Sequence, residues 1–108
     1  MKKIFTLLAL STLIVLLAQC SPKIAKMVTS EPILSKAEIE NLYSSEQLNH
    51  GQSLYANNCS SCHNLHKADE YSQDAWNDIL RQMLRYTNLD FDDAMTLRAY
   101  LMANAKDS

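Results

Sequence analysis

Glycine occurs once in this sequence of 108 residues, at Gly51, and proline twice, at Pro22 and Pro32. No stretch alternates apolar and polar residues with the period of two that marks a half-buried strand, and no segment repeats. A sheet architecture is therefore not expected. An excess of basic charge is also missing. The chain holds 10 Lys and Arg against 12 Asp and Glu, and from Ser35 onward six basic residues face eleven acidic ones, a net of −5. Nucleic-acid binding, which shows as a basic patch, is not expected. An acidic surface keeps a small domain soluble or steers it weakly toward a basic partner. Disulfides cannot account for the cysteines, because there are three, an odd number.

The first residues have a targeting pattern. Lys2 and Lys3 precede an apolar run from Ile4 to Ala18, broken only by Thr6, Ser11 and Thr12, and Cys20 follows. A charged start, an apolar middle and a short cleavage region make a secretory signal. The run has 15 residues, short of the roughly 20 that span a bilayer, although an uncleaved anchor stays open. Leu17-Ala18-Gln19-Cys20 resembles the lipobox of bacterial lipoproteins, with Gln19 standing where a small residue is usual. That resemblance implies lipid on Cys20 and a membrane anchor. Residues 1–19 are then the signal, 20–34 a tether holding both prolines, and 35–108 the folded domain.

Within that domain the helix signals are regular. Ser35 with Glu38 and Ser44 with Gln47 match capping boxes. Ser72 opens another helix with Asp74 in its first turn, an apolar stripe of Trp76, Ile79, Leu80, Met83 and Leu84, and a stop near Asn88. Asp90 caps a last helix with a stripe at Ala94, Leu97, Tyr100 and Leu101. The class expected is all-α, with about three to four helices.

The chemistry is concentrated in Cys59-Ser60-Ser61-Cys62-His63. This is the attachment pattern of a c-type haem. Positions 59, 62 and 63 share one face of a helical turn, so two thiols can form thioethers with haem vinyl groups while the adjacent imidazole of His63 reaches the iron. Other chemistries use the same residues. A thioredoxin-like dithiol needs a βαβ setting, which the sequence lacks. Zinc needs four ligands; His50 or His66 would have to join, since a second cysteine pair is missing.

Three segments resemble class I-type cytochromes c. Gly51, Tyr55 and Cys59 stand four apart ahead of the motif, like that family's first helix. Leu97-Arg98-Ala99-Tyr100-Leu101 is similar to its last helix, which crosses the first with an aromatic residue over the glycine. Trp76-x-x-x-Leu80-x-x-Met83 is similar to the middle segment of small single-haem bacterial domains. The resemblance implies a cytochrome c-like fold around one covalent haem c, with Trp76 packing on the haem and Met83 as the distal iron ligand. A thioether opposite His stabilises reduced iron; the plain alternative is a Met83 that fills the core. No Pro or Gly stands near Met83 to bend the chain.

The function expected is electron transfer on the periplasmic side of a bacterial envelope, with redox proteins as partners, a lipid-anchored membrane attachment and no enzymatic activity. An iron left open at its sixth position would instead bind or sense small gases. Arg81 and Arg85 suit haem propionates, a docking partner or surface pairing with Asp78.

Overall fold

A computed structural model describes residues 21–60 and 64–107. Five α-helices are described: α1 (Ser21–Ser30), α2 (Lys36–Leu42), α3 (Ser45–Cys59), α4 (Gln73–Met83) and α5 (Phe91–Asn104), with 3-10 turns at Ala68–Glu70 and Leu84–Tyr86. The fold is all-α. Among the described residues the only bridge of strand type is an isolated one between Ser72 and Lys106.

Each helix from α2 onward starts at the cap the sequence names. The backbone N–H of Ser35 donates to the Glu38 carboxylate at 2.8 Å, and that of Ser44 to the Gln47 side chain at 2.8 Å, closing both capping boxes. The Ser72 hydroxyl accepts from Ala75, and the Asp90 carboxylate from Asp93. Each such bond satisfies one of the backbone donors orphaned at a helix start.

α3 and α5 cross at Gly51. A Cβ there would overlap the Thr96 carbonyl oxygen and lie 2.9 Å from the Tyr100 Cβ. Only hydrogen fits, so the two backbones meet at this point. Around the crossing, Tyr55, Trp76, Leu80, Leu84, Leu97, Leu101 and Met102 form the buried core.

α4 ends at Met83 rather than near Asn88. The chain tightens into the Leu84–Tyr86 turn, where both the backbone N–H and the hydroxyl of Thr87 donate to the Leu84 carbonyl, at 3.2 and 2.9 Å. The bend after Met83 is thus made without proline or glycine.

The larger departure is at the other end. The segment expected as a tether contains α1, and α1 is part of the core. Its inner face is Ala25, Val28 and Thr29, at 1%, 0% and 6% exposure, and it packs on α4, the Leu84–Tyr86 turn and α5. The prolines flank this helix instead of breaking it. Pro22 stands in its first turn, where a missing N–H costs nothing, and Pro32 follows its end.

A buried polar cluster locks α1 in place. The Asn77 amide donates to the Thr29 carbonyl at 3.0 Å. Arg98 donates through Nε to the Asn77 oxygen at 3.1 Å and through Nη2 to the Glu31 carbonyl at 2.8 Å, with the Pro32 carbonyl at 3.4 Å. These are the orphan carbonyls beyond the helix end, met by a planar cation. Burial lowers the Arg98 pKa, opposed by the nearby Glu31 charge. No helix among the described residues is long and apolar enough to cross a membrane.

Candidate functional site

Cys59 is the last residue of α3 and lies half-buried against the core. Ser60 keeps helical backbone angles one residue further, and its hydroxyl donates to the Ala56 carbonyl at 2.7 Å. Cys62 and His63, the other two residues of the motif, lie outside the described residues, as does Cys20.

Behind Cys59 stands an aromatic wall. Tyr55, one turn earlier on α3, meets the Trp76 ring edge-on with centroids 5.8 Å apart, and Tyr71 meets the other side of Trp76 at 5.2 Å. Edge-to-face pairs at this range are favourable through the ring quadrupoles. Tyr100 of α5 lies 6.2 Å from Tyr55. The Tyr55 hydroxyl donates to the His66 carbonyl at 2.7 Å, which ties down the chain just after the motif. Burial pushes the Tyr55 pKa up to about 12, helped by the charges of neighbouring Cys59, Tyr100 and Glu70. Buried Trp76 gives its indole N–H to the Ala68 carbonyl at 2.7 Å, so that donor is committed to backbone and not to a propionate.

Met83 lies outside the buried core, at 37% exposure, although Trp76 and Leu80 on the same helix are each at 2%. It does not serve as core filler. Leu65, just beyond the motif, is likewise 37% exposed. His50 and His66, the residues a zinc site would have needed, are surface groups. His66 Nδ1 is 2.8 Å from the Glu70 carboxylate, and His50 is 3.4 Å from Asp93. The backbone N–H of Lys67 and then His66 hold the Glu70 pKa below its ordinary value. Arg81 pairs with Asp78 at 3.7 Å, both exposed.

The described part of the site is thus a half-buried thiol at a helix end, packed aromatic rings beside it, and a thioether left out of the core. Sequence reasoning missed Tyr71 in the wall, and Asn77 and Arg98 in the cluster that braces α4 and α5. A signal for Arg98 existed: it stands four residues from both Ala94 and Met102, on the buried stripe.

The comparisons agree with this chemistry. The chain is 34% identical over 58 residues to the "Cytochrome c-type protein TorY" of Haemophilus influenzae, a match covering 54% of this chain and 16% of that protein. It is 32% identical over 59 residues to the "Cytochrome c-type protein TorC" of Escherichia coli O157:H7, covering 55% of this chain and 15% of that one. Over half its length the chain is similar to c-type cytochromes. It spans only about a sixth of the curated relatives it matches. No protein-family model matches it, and no solved structure gives a significant match.

Proposed function

We propose that this chain is an electron carrier of the bacterial cell envelope with one haem c, bound covalently by Cys59 and Cys62, with His63 as proximal and Met83 as distal iron ligand. The observation that carries the reading is the attachment motif starting at the end of α3, the helix that meets α5 at Gly51. The similarity to two c-type cytochromes supports it. When bound, the haem iron supplies one-electron exchange between ferric and ferrous states.

The chain's own residues do the rest. Tyr55, Tyr71 and Trp76 pack on one another beside the attachment point and keep water out of the core there. Tyr55 holds the segment leaving the motif through the His66 carbonyl. The turn at Leu84–Tyr86 ends α4 so that Met83 stands at its tip, away from the core. No acid–base pair is needed for such a role, and redox proteins are the partners. Lipid on Cys20 holds the domain on the periplasmic side of a membrane.

Mass spectrometry of the exported protein tests the attachment: the mature chain is expected to be heavier by one haem, and a chain at its bare polypeptide mass refutes the reading. Spectra of the reduced protein with and without carbon monoxide test Met83. The native protein is expected to be unchanged by the gas, whereas Met83→Ala is expected to bind it. A native protein that binds the gas has an open sixth position and belongs to a gas-binding module instead.

A further inference from the structure

α1 begins at Ser21, directly after the residue read as the lipid site, and it is held in the core. Its two faces are cleanly divided. Ile24, Ala25, Val28 and Thr29 face inward, while Lys23, Lys26, Met27 and Ser30 are exposed. The outward set follows the i, i+3, i+4, i+7 spacing of one helical face. It carries two positive charges, with no acidic residue among the four, on a protein whose sequence from Ser35 onward has a net charge of −5. Met27, at 44% exposure, adds an apolar tip between the two lysines.

We propose that this outer face of α1 seats the domain directly on the anionic headgroup surface of the membrane. The proposal rests on the membrane-anchoring reading and deepens it. The helix begins at the residue after Cys20, so the stretch of chain between an anchor there and the domain is short. The two lysines of the face then meet opposite charge. Each lysine near such a surface gains enough to matter once an anchor holds it there, on the order of a fivefold change in local occupancy. Two lysines alone would not recruit an unanchored chain, so the face orients the protein and does not target it.

The test uses the full mature chain with its haem, taken from its own membranes and reconstituted into vesicles. One set contains phosphatidylethanolamine with phosphatidylglycerol, the other phosphatidylcholine alone. A water-soluble amine reagent labels lysines, and peptide mass spectrometry reads the rate at each. Lys23 and Lys26 are expected to react roughly fivefold more slowly on the anionic vesicles, with Lys67 and Lys106 unchanged, and high salt is expected to remove the difference. Equal rates on both vesicles overturn the seating. Protection in native membranes that vanishes in protein-free anionic vesicles also overturns it, and assigns the face to an acidic protein. The N-terminal mass of the same sample keeps the two readings apart. An anchored chain with unprotected lysines refutes only the seating, whereas a chain without lipid or retained apolar segment refutes both.

Discussion

At Gly51 the backbones of α3 and α5 touch, and a methyl group would overlap a main-chain oxygen on the opposing helix. An alanine gains up to about 1 kcal/mol in a helix interior, whereas overpacking costs about 1–3 kcal/mol. Backbone cannot rotate aside as a side chain can, so the loss prevails. Gly51→Ala is expected to unfold about 5–10 °C lower in a thermal melt. Tyr55 works at the same crossing. Its pKa is raised from 10.0 to about 12, so between those values the unfolded phenol is ionised and the folded one is not. The stability this group contributes is whole below pH 10 and drains away as pH climbs to about 12. Tyr55→Phe is expected to lose about 1 kcal/mol at neutral pH with the His66 bond, and to show a flatter decline in melting temperature over the alkaline window.

Helix α1 depends on polar as well as apolar contacts. Removing the Arg98 fork strips donors from the buried Asn77 oxygen and from the part-buried Glu31 carbonyl. Arg98→Ala is expected to destabilise by about 1–3 kcal/mol in denaturant titration, the cost of one buried group left unmatched. Arg98→Lys is expected to recover little, because an ammonium cannot span both acceptors as a planar fork does. This element shows what the sequence made legible and what it hid. The caps at Ser35, Ser44, Ser72 and Asp90 were readable because a cap is local chemistry. α1 was not, because two prolines in the fifteen residues 20–34 suggest an irregular linker unless one knows where each falls relative to the helix ends. Arg98 was hidden for a related reason. A charged residue is taken as exposed by default, and its partners stand about 21 and 67 positions away in the chain.

For the whole molecule, acid is the condition to examine. Glu38 is lowered by its Ser35 cap, Glu70 by the Lys67 N–H and then His66, and Asp107 by Lys36. Each is depressed in the folded state, so the stability it contributes is present above its ordinary value, 4.5 for the glutamates, and is lost as pH falls through the lower folded value. The melting temperature is expected to drop as pH is taken below 4.5, and to drop less for a Glu38→Gln/Glu70→Gln variant. Cys62 and His63 of the motif lie outside the described residues, whereas the α3–α5 crossing was legible at this scale in its Gly51 and Tyr100. The aromatic wall was not, since Tyr71 joins it from a connection with no periodic signal.

The hold of Arg98 on the Glu31 carbonyl and the close approach of Gly51 to Thr96 also set a timetable. Under the proposed function the polypeptide is exported amino end first, and Cys59 emerges well before Phe91–Asn104. Until that last helix arrives, the α3–α5 crossing cannot close, which under the proposed function leaves time for the haem to be joined first. Assembly order is thereby written into the distance along the chain between a glycine and the helix that covers it.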